Sequence, residues 1–152
     1  MPPNEQIIRL LPEDYPRCGE IWDMARQPNT GRWYDEIVRG VRIVYVFTRD
    51  DAFLGEGALV LENSDPDYTI TGRRVYLSRL IVKPEARRQG IGGRLVDHLC
   101  AEARRMGYRE ISLGVDLSNH AARRLYAHKG FTTLLYEGED EYGPYQKLLK
   151  AL

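Results

Sequence analysis

The chain has only two cysteines in 152 residues, too few for a disulfide scaffold. Cys18 and Cys100 each fall in a helical pattern, with no second thiol or paired histidine at ligand spacing, so both read as reduced packing residues and no metal is expected. No apolar run approaches the roughly 18 residues of a membrane span, and the N-terminus has no basic-then-apolar signal segment. The expected location is therefore the cytoplasm, with no membrane partner. Neither sign of charge is in excess: Lys+Arg and Asp+Glu are both 22, and the sequence pI is near 6.8. A general nucleic-acid binder would carry a basic surplus, so nucleic acid is not expected as a partner. With 43% hydrophobic and 29% charged residues, the composition is that of one folded globular domain spanning residues 1–152.

The most informative stretch is residues 82–96. An apolar strand stops at Pro84, passes basic residues and the glycines Gly90, Gly92 and Gly93, and becomes an amphipathic helix. Glycines let backbone approach a ligand closely, and the first-turn N–H groups of a helix favour an anion. No lysine or hydroxyl follows these glycines as a Walker A loop requires, and Leu95 stands where a dinucleotide fingerprint needs its third glycine.

Around this stretch the sequence predicts an α/β (α+β) order. Residues 6–11 read as a strand. A helix opening at Pro12 carries Tyr15, Cys18, Ile21, Trp22 and Ala25 on one stripe, and Pro28 ends it. A second helix, capped by Thr30 and closed by Gly40, carries Trp33, Tyr34, Ile37 and Val38. Strands follow over 41–48, 53–61 and 75–82, joined by polar links as in an antiparallel meander. The helix from Gly92 has Leu95, Val96, Leu99, Cys100, Ala103 and Met106 on its apolar face, and places His98 on the polar side. Residues 111–115 then return as a parallel strand, Asn119 caps a helix over 121–129, and strands over 131–136 and 145–149 flank an acidic loop at 137–141.

The segment Arg87-x-x-Gly90-x-Gly92 resembles the acyl-coenzyme A pyrophosphate loop of the Gcn5-related N-acetyltransferases (GNAT). Asn119-x-x-Ala122-x-x-Leu125-Tyr126-x-x-x-Gly130-Phe131 resembles the closing motif of the same family, one helix and one strand later. The resemblance covers residues 75–131 and implies a mixed, mainly antiparallel sheet of about six to seven strands flanked by helices. One parallel βαβ unit would stand at the cofactor site. It further implies that the cofactor is acetyl-coenzyme A, with backbone amides of Gln89, Gly90, Ile91, Gly92, Gly93 and Arg94 on the pyrophosphate and Arg87 and Arg88 assisting. Main chain of Leu80, Ile81 and Val82 would pair with the pantetheine arm, Asn119 and Ala122 would lie against it, and Tyr126 would act as general acid on the departing thiolate. Tyr126 also fits a buried packing tyrosine, and Asn119 an ordinary N-cap. The family implies transfer of acetyl to a primary amine of a small molecule or peptide, and admits a homodimer. A non-catalytic acyl-coenzyme A sensor on the same fold is the alternative, since such a module needs the glycine loop but no acid.

An alkylammonium with a pKa of about 10.4 must lose a proton before it attacks. Some family members carry a glutamate on the fourth strand, but residues 76–82 contain no carboxylate here. Glu56 and Asp116 remain as candidate bases. Glu56 equally suits a structural ion pair with Arg79, the lone charge of the adjacent strand. For the acceptor, Glu137, Glu139, Asp140 and Glu141 could attract a cationic amine, with Trp33, Tyr34 and Tyr142 as walls; a solvated turn is the plainer reading of the acidic cluster.

Overall fold

The computed structural model describes residues 2–152. The chain runs through β1 (Glu5–Arg9), two 3-10 segments (Pro12–Glu20 and Met24–Arg26), α1 (Thr30–Arg39), β2 (Arg42–Arg49), β3 (Ala52–Val60) and β4 (Arg74–Val82). A 3-10 turn (Pro84–Ala86) leads to α2 (Ile91–Arg105), then β5 (Glu110–Asp116), α3 (His120–His128), β6 (Thr133–Asp140) and β7 (Gly143–Ala151). The seven strands order as β1-β2-β3-β4-β5-β7-β6 in a mixed, mainly antiparallel sheet flanked by helices, with β4 and β5 the parallel pair. The chain parts into two compact units, one of residues up to Leu59 with Arg79–Leu99, the other of Val60–Ser78 with Cys100–Leu152.

In the first unit, β2 is buried at every position from Arg42 to Thr48 because its alternate side chains serve two cores. Val44 and Val46 join Tyr15, Cys18, Ile21, Trp33 and Ile37 in one, while Phe47 joins Ala86, Ile91 and Leu95 in the other. Each such apolar side chain contributes about 1.5–3 kcal/mol of burial. Asp50 and Asp51, at φ +49° and +68°, make the tight hairpin turn into β3. On β3, Glu56 sits between two glycines. A Cβ on Gly57 would stand 2.8 Å from Leu99 Cδ1, and one on Gly55 would stand 3.2 Å from the side chains of Ile91 and Leu95. The glycines thus let α2 press onto β3, and the period of two sends Glu56 to the opposite face.

Three expectations are corrected in this unit. The helix expected from Pro12 is a 3-10 segment, and a second one follows, with Asp23 accepting from the Ala25 N–H at 3.2 Å. Pro16 lies inside the first segment, where it has no N–H to give an α-helix, and Tyr15, Cys18 and Ile21 recur every three residues, the 3-10 repeat. Ala25 is exposed as a result. On α1 only Trp33 and Ile37 are buried, whereas Tyr34 and Val38 stand in solvent. His98 is not a plain surface residue but is half-buried, its ring edge-on to Tyr45 at 4.9 Å.

In the second unit, β5 pairs antiparallel with β7 along its whole length, from Glu110 opposite Ala151 to Asp116 opposite Tyr145. The expected acidic loop is instead the end of β6: Glu137, Glu139 and Asp140 pair with Gln146, Pro144 and Gly143. The reversal is confined to Glu141 and Tyr142, with Gly143 at φ +105° receiving the chain, so the ladder runs on through the acids. As the last strand in the sheet order, β6 leaves their carboxylates in water. Cys18 and Cys100 are both buried, and neither is in a disulfide.

Gly57→Ala is expected to lower unfolding free energy by about 1–3 kcal/mol, because Leu99 is fully buried and cannot yield without displacing its neighbours. Urea denaturation followed by circular dichroism checks this, with an unchanged midpoint as the contrary result.

Candidate active site

The strand-to-helix passage is anchored at both ends. Lys83 N–H donates to the Leu54 carbonyl at 2.8 Å, and Ala86 is buried with Ile91 and Leu95. Between the anchors the backbone is forced open: Arg88 has φ +64° and Gly90 φ +79°, and a Cβ added at Gly90 meets nothing within 4 Å. The Arg94 N–H bonds the Gly90 carbonyl at 3.1 Å, so the amides of Ile91, Gly92 and Gly93 precede the helical ladder and have no acceptor within it. Arg87 is held by its Nε on the Val82 carbonyl at 3.1 Å, and Gln89 accepts from Arg49 at 2.9 Å. Arg94 reaches Glu5 at 3.2 Å and covers the Phe47 ring at 4.7 Å, so its charge is already engaged, unlike that of exposed Arg88. The hydrogen bonds from Arg49 and Arg94 hold the Glu5 carboxyl below its usual range. Leu80 and Val82 pack towards Ile91 and Leu95, and Ile81 towards the opposite core.

On that opposite face lies a buried charge pair. Glu56 is 4% exposed; its Oε1 accepts from Trp22 Nε1 at 3.2 Å, while Oε2 has no hydrogen-bond partner. Burial pushes its carboxyl above the usual range, against the neighbouring Cys18 thiol and the field of Arg79. Arg79 sits within β4 at φ +61°, an uncommon conformation for a residue with a side chain and one that interrupts regular strand geometry. Its guanidinium lies 4.2 Å from the Trp22 ring and 4.8 Å from the Trp33 ring, and its Nε is likewise buried without a partner. Trp33 also carries Arg42, which is paired to Glu36 at 2.9 Å. The Glu56–Arg79 relation expected from sequence is therefore an attraction between charges that leaves Oε2 and Nε unbonded.

In the second unit, Asn119 caps α3, its Oδ1 accepting from Ala122 N–H at 3.1 Å. Tyr126 is buried, edge-on to Phe131 at 5.8 Å, and burial, then the neighbouring Tyr76, pushes its phenol up to about 12. Tyr76 stacks on Tyr68 at 4.2 Å, and the Tyr68 hydroxyl occupies the space a Cβ on Gly114 would need, 2.6 Å away. Asp116 is half-buried at the end of β5, and its carbonyl accepts the Asn119 N–H at 3.0 Å. The β4–β5 ladder pairs residues 74–76 with 110–112, while β5 continues to Asp116 on its β7 side.

The acetyltransferase (GNAT) family model matches residues 4–131. The chain belongs to the GNAT acetyltransferase family. No curated protein sequence matches it. Among solved structures, YncA from Salmonella typhimurium with its cofactor acetyl-CoA is 22% identical, with a TM-score of 0.77 over 97% of this chain and 94% of that one. The ribosomal-protein-S18-alanine N-acetyltransferase from Escherichia coli is 20% identical, with a TM-score of 0.76 and coverage of 97% and 94%. The aminoglycoside 6'-N-acetyltransferase from Enterococcus faecium is 17% identical, with a TM-score of 0.72 over 96% of both chains. At these identities the likeness is one of fold.

Within this GNAT chain the residues expected to wall the acceptor lie in different settings. Tyr34 lines a cavity beside α1, Trp33 is buried in the core, and Tyr142 is 76% exposed at the β6–β7 turn. Glu139 and Asp140 stand on the edge strand, Asp140 accepting from the Tyr142 N–H at 2.9 Å. Sequence reasoning missed Lys147, whose Nζ lies 2.6 Å from Asp65 and 3.2 Å from Asp67, over the rings of Tyr68 and Tyr136. The available signal was slight: Lys147 stands next to Leu148 and Leu149 in β7, but Gln146 and Lys150 flank these three and make the strand read as mixed. Burial alone would depress its pKa, but the bonds to Asp65 and Asp67 carry it upward, and the Asp65 carboxyl is correspondingly lowered.

Lys147→Met is expected to destabilise the protein by about 1–2 kcal/mol at pH 7, the carboxylates being about a third exposed and partly screened. Asp65 is depressed below 3.8, so its contribution is present above that value and fades as pH falls through it. The difference between wild type and variant should hold from about pH 5 to 9 and shrink below pH 4, as thermal melts across pH would reveal.

Proposed function

We propose that this protein is an acetyl-coenzyme A dependent N-acetyltransferase that acetylates a primary amine of a small molecule or peptide. The observation that carries the reading is the opened loop before α2, with positive φ at Arg88 and Gly90 and three first-turn amides that have no acceptor in the helical ladder. Such a loop fits a diphosphate: Gly90 leaves open space, and Arg87 and Arg88 add charge. Each exposed charge at a helix end is worth about 0.3–1 kcal/mol, so several donors must act together. Acetyl-coenzyme A supplies, when bound, an acyl group activated as a thioester. Tyr126 would hold its phenol proton as a hydrogen-bond donor for the thioester sulfur, the acid role. With its phenol near 12 it keeps its proton throughout the working range, and against a thiolate of pKa about 8.5 it acts as a held donor more than as a full proton source.

Gly92→Asp is expected to weaken coenzyme A binding roughly 100-fold by setting a carboxylate against the diphosphate. Calorimetry measures this, and undiminished affinity would remove the loop from the assignment.

Tyr126→Phe should lower turnover about 100-fold while leaving coenzyme A affinity within about threefold, because the bond is made chiefly in the transition state. The wild-type rate should show no loss from Tyr126 ionisation below about pH 10, given its raised pKa. Thiol release in a chemistry-limited assay, run with an amine found by screening, tests both; equal rates for wild type and variant would return Tyr126 to core packing.

A further inference from the structure

The first unit contains a cavity of about 600 Å³ beside α1, wide open to solvent and with most of its lining residues exposed, of a size within the range of small-molecule sites. Its walls are mainly apolar and aromatic, including Tyr15, Pro16, Trp22, Met24, Ala25 and Tyr34. The only acid among the lining residues, Asp23, has both oxygens engaged: Oδ1 accepts from the Ala25 N–H at 3.2 Å and Oδ2 lies 3.2 Å from Arg26 Nε. Thr30, also on the wall, spends its hydroxyl on the Gln27 carbonyl. The cavity therefore has little to attract a second or third cationic centre and much apolar surface to bury.

The wall residue Trp22 is fixed from several sides. Glu56 takes its indole N–H at 3.2 Å, Arg79 lies on its ring at 4.2 Å, and Trp33 meets it edge-on at 6.3 Å. Glu56 and Arg79 are each left with a buried atom unbonded in this arrangement, a cost that packing of the ring alone does not explain. We infer that this cavity takes the apolar side of the acceptor, a monoamine bearing an aromatic or branched aliphatic group, and that Glu56 and Arg79 are positioning residues that hold Trp22 as its wall. The inference rests on the N-acetyltransferase reading and names its substrate class. It also gives Glu56 a role other than general base.

The test is binding of 2-phenylethylamine and of spermidine to the cofactor-free full chain, followed by tryptophan fluorescence. The expected result is a Kd for 2-phenylethylamine at least tenfold below that for spermidine, from the buried ring. Gly31→Leu adds bulk to the lining where a Cβ meets nothing within 4 Å, and should weaken the aromatic amine at least tenfold with the melting temperature not lowered, leucine being the better helix former in α1. Ala25→Leu serves the same purpose if that variant does not fold. Glu56→Gln keeps an oxygen for the Trp22 N–H and should retain affinity within about threefold, whereas Glu56→Leu, or Trp22→Phe if the former fails to fold, should lose it tenfold or more. Absent binding of the aromatic amine, equal or tighter binding of spermidine, indifference to cavity filling, or equal damage from Gln and Leu would overturn the inference. So would a Glu56→Gln protein that binds normally but no longer turns over, which would make Glu56 the base. Coenzyme A affinity, measured by calorimetry on the same samples, reads the acetyltransferase assignment separately.

Discussion

Near the middle of β3 a carboxylate has been taken out of water and left with one oxygen unbonded, and much of the first unit is arranged around that cost. Gly55 and Gly57 give the other face of the strand to α2, which obliges the residue between them to point into the opposite core. A carboxylate there is tolerated only because Trp22, the Cys18 thiol and the field of Arg79 act on it together. Arg79 in turn requires a left-handed backbone turn within β4 and two tryptophan rings for its guanidinium. Strain, orphaned polar atoms and aromatic packing thus belong to one interdependent group.

The loop before α2 is built on another principle, conformational rather than electrostatic. Its anchors, the Lys83 bond to Leu54 and the buried Ala86, fix where the chain leaves β4 and where α2 begins. The intervening residues connect them through positive φ at Arg88 and Gly90, and the first amides of the helix, which precede its ladder, have no acceptor within it. Arg94, in the first turn of the helix, adds little free charge there, since it is already committed to Glu5 and Phe47.

The second unit uses rigidity in a third way. Lys147, drawn towards Asp65 and Asp67, ties the connection after β3 to β7 and sets Tyr68 against Gly114 and Tyr76. Tyr126, beside Tyr76 electrostatically and buried, is left with a phenol that holds its proton firmly. A donor of this kind suits a developing negative charge that needs a hydrogen bond more than it needs a proton.

What the sequence by itself determined was whatever depends on neighbours along the chain. The order of strands and helices, the glycine-opened helix start at Gly90, the Asn119 cap and the hairpin turn at Asp50 and Asp51 follow from local propensity and spacing, and two motifs in the right order identified the family. Local signals misled where a tertiary partner decided. The acids of residues 137–140 became strand because β7 lies alongside to pair with them, whereas the 3-10 structure after Pro12 follows a local signal, an internal proline with three-residue spacing, that a helical reading passes over. The Glu56–Arg79 relation was legible as the lone charges of adjacent strands, but only the tertiary structure could add Trp22 and Trp33 to it, or bring Lys147 onto Asp65 and Asp67. Those contacts join residues tens of positions apart, and no periodicity in the chain encodes the burial that sets their charges and their cost.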